Sequence, residues 1–285
     1  MTTSPTPDAD ATLAPSSAPP ALHRFLEDVR QWIDVELARR LAPPADDPGR
    51  LVEAMCYAAT GPGKRLRPCV LVAAAEACGG TREAAKPAAA AIEMMHAYTL
   101  VHDDLPVMDD DDTRRGRPTV HIAFDEAIAL LAGDGLLTES FAALAELGPR
   151  AGAAVRVMAQ RAGSRELLVG QAIDINTPPE GLREIAAVER LHAAKTGALF
   201  AAAAELGAIS AGAAPEVCAR LGRYGMAIGI AFQHADDRDD AELTELAEVA
   251  AGRMRTLCDE AQRIARELPH GETLEAIAAW IAARA

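Results

Sequence analysis

An all-α fold in a single domain is what three features of this sequence predict. Apolar residues make up 50% of the chain but aromatic residues only 4%. Ala and Leu abound while β-branched runs are few, a balance that favours helix over strand. Apolar positions return at three- and four-residue spacing through most of the chain. Neither an internal repeat nor a linker-like stretch divides its 285 residues, a length compatible with one large domain.

The elements follow in order. Residues 1–20 are rich in Pro, Ser, Thr, Ala and Asp without periodicity, so they are expected to be a disordered tail ahead of a domain over 21–285. From Ala21 the positions Leu22, Phe25, Leu26, Val29, Trp32, Ile33, Val35 and Leu37 define a helix that Pro43-Pro44 ends. A second helix is expected over roughly 48–59 and is broken by Gly61-Pro62-Gly63. A third runs from Cys69 to Cys78, closed by Gly79-Gly80. A fourth starts at Thr81 or Arg82 and reaches Asp104, where Pro106 removes a helical N–H and restricts Leu105. Gly, Pro and Asn punctuation then places helices at roughly 120–132, 134–147, 150–162, 164–176 and 181–211. The last three are expected from Tyr224 to Asp240, over about 242–267, and over about 271–284.

The stretch from His102 to Gly116 carries the chemistry. Six carboxylates fall within ten residues, at Asp103, Asp104 and Asp109 to Asp112, closed by Arg114 and Arg115. An aspartate run is commonly just a solvated loop. This one ends an apolar helix that enters a core, where like charges raise one another's pKa unless a cation intervenes. Hard carboxylate oxygens suit Mg²⁺, which leaves positions open for substrate phosphates. Guanidinium forks match phosphate oxygens. Acid for metal beside base for phosphate points to a diphosphate site. The break at Pro106 allows Asp109 to fold back toward Asp103.

Other positions add to it. His96, Thr99 and Asp103 share one helix face at i, i+3 and i+7, so His96 is either a satisfied core residue or a neighbour of the metal site. Tyr98 lies a step around that helix, where its ring could floor a cavity. The basic knot Lys64-Arg65-Leu66-Arg67 precedes a helix, where backbone N–H groups favour anions. A charged surface turn is the plainer reading. It is not a P-loop, because Ala58 stands where Gly is required and Arg65 where Ser or Thr is. Gln171 and Asp174 share a face. Of 28 basic residues only Lys64, Lys86 and Lys195 are lysines, and two of the three fall in candidate phosphate sites. Finally, Asp236 and Asp240 are i, i+4 with Asp237 beside them. Two apolar helices that each end in clustered aspartates can chelate metal between them.

A net charge of −14 and a pI near 4.9 argue against a nucleic-acid partner, which needs a basic patch. The five cysteines form no CxxC and read as small buried hydrophobes in a reducing compartment. No apolar run of membrane-spanning length and no secretory signal is apparent, so the expectation is a cytoplasmic protein without stable membrane insertion.

Taken together, segments 63–68 (GKRLRP), 96–121 (HAYTLVHDDLPVMDDDDTRRGRPTVH), 170–174 (GQAID), 195–197 (KTG) and 232–240 (FQHADDRDD) resemble the short-chain trans-polyprenyl diphosphate synthases, bacterial farnesyl diphosphate synthase type. The resemblance spans about residues 21–240. It implies antiparallel helices around a deep central cavity, a homodimer, and Mg²⁺-dependent head-to-tail condensation of isopentenyl diphosphate with dimethylallyl or geranyl diphosphate. It also implies that Asp103, Asp109, Asp236 and Asp240 serve the metal, with Asp104 and Asp237 in support. Arg114, Lys195, Thr196 and Gln233 would grip the allylic substrate. Lys64, Arg67, His96 and Arg115 would grip isopentenyl diphosphate. Tyr98 and Thr99 would limit chain length, pointing to farnesyl diphosphate, with geranyl diphosphate next.

The sequence departs from the family after Asp240. A loop bearing a Gly-Lys pair is usual there, whereas here no lysine follows Lys195 and the chain is expected to enter a helix directly, leaving Arg238, Arg253 or Arg255 as substitutes. That departure favours an alternative class, a catalytically weak homologue serving as a binding or regulatory subunit of another prenyl synthase. A terpene cyclase would share the first acidic motif but not GKRLRP.

Overall fold

A computed structural model describes residues 17–177, 184–239 and 246–285. Among these, the helices are α1 (Pro20–Arg40), α2 (Leu51–Ala59), α3 (Leu66–Ala77), α4 (Arg82–Asp103), α5 (Val120–Ala123), α6 (Glu126–Ala145), α7 (Ala151–Ala162) and α8 (Leu167–Asn176). They continue as α9 (Ile185–His192), α10 (Ala198–Ala211), α11 (Pro215–Asp239), α12 (Ala247–Arg266) and α13 (Glu272–Ala282). The all-α expectation holds, with one addition: strands β1 (Thr113–Arg114) and β2 (Arg117–Pro118) pair antiparallel, Arg114 opposite Arg117. Arg115 and Gly116 link them, both at positive φ (52° and 71°). That is the two-residue turn whose twist suits a hairpin, with Gly at its second position.

Helices α3, α4 and α10 form the centre. Ten of the twelve residues of α3 are buried, as are twelve of the fourteen of α10. Both are rich in Ala, whose small side chain lets backbones approach closely. Larger fillers such as Leu26, Leu71, Met94, Met95 and Phe200 are fully buried, each stabilising the fold by roughly 1.5–3 kcal/mol. Tyr224 is also fully buried, and its hydroxyl donates to the Leu274 carbonyl at 2.8 Å, so no polar group is stranded there. Packing starts inside the stretch expected as tail: Ala18 is buried and Trp280 Nε1 donates to Ser17 Oγ at 3.1 Å. Residues 1–16 lie outside the described residues.

Beyond starts shifted by about three residues, such as α3 beginning at Leu66 rather than Cys69 so that Arg67 lies in its first turn, three boundaries differ from expectation. The break expected at Gly133 does not occur. After the short α5, α6 runs unbroken from Glu126 to Ala145 through Gly133 and Gly135. Those glycines mark close approach, since a Cβ on Gly133 would come within 2.1 Å of His102 Nε2 and one on Gly135 within 2.7 Å of Met55 Sδ. Read as one element, α6 has 20 residues and a mean hydropathy of 1.4 in its most apolar window. It therefore reaches the length and composition of a membrane span, contrary to the expectation that no such run exists. It packs against α4 and α2. Second, the helix expected over 181–211 is α9 and α10 joined by a π turn, Ala193–Gly197. Third, α11 starts at Pro215, well before Tyr224, with proline at a position that tolerates it.

Candidate active site

The acidic stretch divides into two groups with different work. α4 ends at Asp103, and the chain turns back so that the Asp109 N–H donates to the Asp103 carbonyl at 2.9 Å. This is the fold-back that the proline break allows. Asp103 is buried and accepts a hydrogen bond from Gln171 Nε2, while Asp109 is exposed. Burial, with the charges of Asp109 and Asp104 in support and Lys195 opposing, pushes the Asp103 carboxyl up to about 7. Asp104 turns to the other side, where Arg114 Nε donates to its Oδ1 at 2.6 Å, and Asp111 lies 3.4 Å from the same guanidinium. Asp104 thus anchors Arg114. Asp110 and Asp112 are exposed, as a solvated run would be.

Lys195 emerges from the π turn, an irregularity that frequently marks functional positions. Its Nζ donates to Asp174 Oδ2 at 2.5 Å. Burial opposes its charge, but Asp174, Asp103 and Asp109 together raise its pKa and keep it protonated. Next to it, Thr196 Oγ1 donates to Gln233 Oε1 at 3.0 Å, and Gln233 Nε2 donates to Asp237 Oδ1 at 2.9 Å.

A cleft brings the remaining candidates together: Lys64, Arg67, His96, Arg114, Arg115, Thr196, Gln233 and Asp236 all line it. Lys64 Nζ lies 5.7 Å from the Phe232 ring centroid and the Arg67 guanidinium 5.0 Å from that of Phe200, a cation-on-aromatic arrangement that holds charge in an apolar floor. No side chain caps the start of α3, which leaves its terminal N–H groups for an anion. Burial and the surrounding Arg67, Arg115, Arg65 and Arg114 hold His96 well below the usual imidazole range, so it is neutral there. Arg115 NH1 donates to the Pro62 carbonyl at 2.8 Å, tying the hairpin to the 61–63 loop. Asp240 lies outside the described residues, as does the stretch 240–245 where the expected direct entry into helix falls.

Glu93 and Phe200 were not anticipated, nor were the particular roles of Arg65 and Phe232 within the basic knot and the segment 232–240. Arg65 is buried and donates to Asp34 Oδ1 (2.8 Å), Glu93 Oε1 (2.9 Å) and the Gly61 carbonyl (2.7 Å). It fixes the backbone between Lys64 and Arg67. The available signal was Glu93, a lone acid inside the apolar face of α4, three residues before His96. Tyr98 is buried and packs edge-on against His102, ring centroids 5.0 Å apart. Thr99 Oγ1 donates back to the His96 carbonyl at 2.8 Å.

The donor set fits Mg²⁺. Asp103 and Asp109 offer hard oxygens on chain segments joined by a backbone bond, one residue buried and one open to solvent. Burial pushes the Asp103 carboxyl up to about 7 even with Lys195 and Arg114 opposing, a burden a dication lifts.

A family model described as polyprenyl synthetase matches residues 48–248. Farnesyl diphosphate synthase of Geobacillus stearothermophilus is 37% identical over 231 residues, 79% of this chain and 77% of that protein. A heterodimeric geranylgeranyl pyrophosphate synthase large subunit 1 of Arabidopsis thaliana is 42% identical over 205 residues, 69% of this chain. The match spans only 55% of that relative's length. Among solved structures, a farnesyl/geranylfarnesyl diphosphate synthase of Zymomonas mobilis superposes with a TM-score of 0.84 at 39% identity, covering 92% of this chain and 99% of the other. A geranyltransferase of Legionella pneumophila gives 0.83 at 26% identity, covering 93% and 98%.

Proposed function

The chain belongs to the polyprenyl synthetase family, and on that premise we propose that it is a trans-prenyltransferase condensing isopentenyl diphosphate head-to-tail with an allylic diphosphate. One observation carries the reading: the Asp109-to-Asp103 backbone bond folds the acidic turn back onto the end of α4, where both carboxylates act on Lys195, while a cleft gathers Lys64, Arg67, Arg114, Arg115 and Asp236. Two diphosphates need two anion-binding regions, and metal-type acids with Lys195 supply one while Lys64, Arg67 and Arg115 supply the other.

Asp103, Asp109 and Asp236 would hold Mg²⁺, with Asp240 completing the set that the family resemblance implies. When bound, Mg²⁺ supplies the charge that offsets a departing diphosphate. Arg114, oriented by Asp104, and Lys195, oriented by Asp174, grip the allylic diphosphate. Thr196 and Gln233 fix its position. As the allylic carbon–oxygen bond breaks, these side chains meet the charge growing on the leaving oxygen without reorganising. The alkene electron pair of isopentenyl diphosphate forms the new carbon–carbon bond, and the proton lost afterwards passes to the released diphosphate. Neutral His96 hydrogen-bonds the isopentenyl diphosphate without adding charge. Phe200 and Phe232 keep water from the cation.

The product is assigned as farnesyl diphosphate, with geranyl diphosphate the next choice. Buried Tyr98, five residues before Asp103 and buttressed by His102, supports a short floor. The exposed apolar side chains Leu130 and Leu131 on α6 and Leu168, Val169 and Ile173 on α8 support a homodimer. The test is a Mg²⁺-dependent condensation assay with isopentenyl diphosphate and dimethylallyl or geranyl diphosphate, with Asp103→Ala as control and product length read by chromatography. A farnesyl product lost in the variant is expected. No product from folded protein overturns the catalytic reading, and a mainly geranylgeranyl product overturns the chain-length assignment alone.

A further inference from the structure

Beside the cleft, α9 and α11 bring together two imidazoles to which the condensation gives no role and the carboxylate of Asp237, which the family resemblance places in support of the metal acids. His192, the last residue of α9, meets His234 of α11 edge-on, ring centroids 4.9 Å apart. His192 Nε2 lies 3.0 Å from Asp237 Oδ2. One ligand-capable atom from each of the three lies within 4.8 Å of the others, and all three residues are buried. His192 Nδ1 is buried without a hydrogen-bond partner among the described residues, and His234 Nε2 makes no hydrogen bond of normal geometry. Glu189 Oε1 stands 3.5 Å from that His234 Nε2. The Glu189 carboxylate is itself clamped by Arg253, whose Nε donates to it at 2.7 Å. An unsatisfied buried polar atom costs free energy and calls for a cause, an ion among the usual ones.

We propose that His192, His234 and Asp237 form a binding site for a transition-metal dication of the Zn²⁺ class, separate from the acid-rich Mg²⁺ site, with Glu189 in reach as a fourth ligand. Two imidazole nitrogens with one or two carboxylate oxygens form a donor set for Zn²⁺, Fe²⁺ or Co²⁺, whereas Mg²⁺ takes oxygen almost alone. A small cavity lined by Ile185, His234, Asp237, Arg238, Leu246 and Ala250 adjoins the site on the α12 side. The site also connects to the cleft. Asp237 offers Oδ2 to the metal while Oδ1 accepts from Gln233 Nε2 at 2.9 Å. A bound ion therefore stiffens the amide that meets Thr196.

The experiment uses the full chain, stripped with a chelator and dialysed into excess Mg²⁺ to fill the acidic site, then titrated with Co²⁺ alone. Visible absorption distinguishes four-coordinate Co²⁺ with nitrogen ligands, which gives intense bands, from octahedral all-oxygen Co²⁺, which gives weak ones. Wild type and Asp103→Asn should both give the intense bands. His234→Leu and His234→Gln should lose them, weakening Co²⁺ by more than the roughly 10- to 100-fold typical of losses outside the ligand set. Circular dichroism checks that each variant folds. Weak bands only in the wild type, or intense bands persisting in a folded His234 variant, overturn the proposal. The spectrum does not depend on turnover, so the site stands or falls apart from the prenyl-transfer reading.

Discussion

The backbone N–H of Asp109 donates to the carbonyl of Asp103 at 2.9 Å, so a residue six positions on is folded back onto the end of α4 by a bond neither side chain makes. Asp109→Asn leaves that bond in place and removes only a carboxylate. Condensation should fall by about 10²–10³-fold, as when one charge-stabilising group is lost, with an unchanged melting temperature. Steady-state rates at saturating Mg²⁺ decide it; a wild-type rate would remove Asp109 from the metal site.

Asp103 gives the metal-free protein a pH-dependent stability. Its folded pKa is about 7 against an ordinary 3.8, burial being the main cause. Between those values the folded state keeps a proton that the unfolded chain has released. Stability therefore falls as pH rises through this window, by at most on the order of 4 kcal/mol. A bound dication removes the need for that proton. Chelator-treated protein should lose melting temperature from about pH 4 to pH 7 while Mg²⁺-loaded protein changes much less. Parallel curves would contradict this.

Arg65 is the strut of the basic knot. Replacing it by Met strands buried Glu93, which should cost about 3–5 kcal/mol and raise KM for isopentenyl diphosphate, because Lys64 and Arg67 flank it. Adding Glu93→Leu should restore much of the stability, since an apolar replacement of the whole pair is often neutral. Urea midpoints of the single and double variants read this directly. No destabilisation in Arg65→Met would show the pair to be idle.

Gly133 controls Tyr98 at one remove. A methyl there meets the His102 ring, whose Nε2 pairs with the Leu130 carbonyl at 3.0 Å. Gly133→Ala should cost about 1–3 kcal/mol and release the ring that buttresses Tyr98. Longer prenyl products should appear in this variant, and more in Tyr98→Ala. Product profiles identical to wild type in both would mean the floor lies elsewhere.

The helices and the fold-back of the acidic turn were legible in the sequence because each rests on local spacing: apolar positions at three and four residues, aspartates at a helix end, Pro106 after it. What depends on contacts across elements was not. Gly133 and Gly135 look like helix breakers until His102 and Met55 are seen against them. Arg65 reads as one more charge in a basic run until Asp34 and Glu93, from two other helices, reach it. His192 and His234 are 42 positions apart in the numbering and share no periodicity, so their meeting is a product of how α9 and α11 pack. The π turn left no mark, since Ala193–Gly197 reads as good helix on either side.

That π turn also acts as a phase shifter. Each residue of an α-helix advances the winding by about 100°, so a single extra residue rotates all of α10 relative to α9. Both helices keep their apolar faces inward only because the offset is absorbed at Lys195 and Thr196. Deleting one residue there would leave every core side chain present and still misalign one helix or the other, which makes chain length between His192 and Ala198 less tolerant of change than the identity of most residues within it.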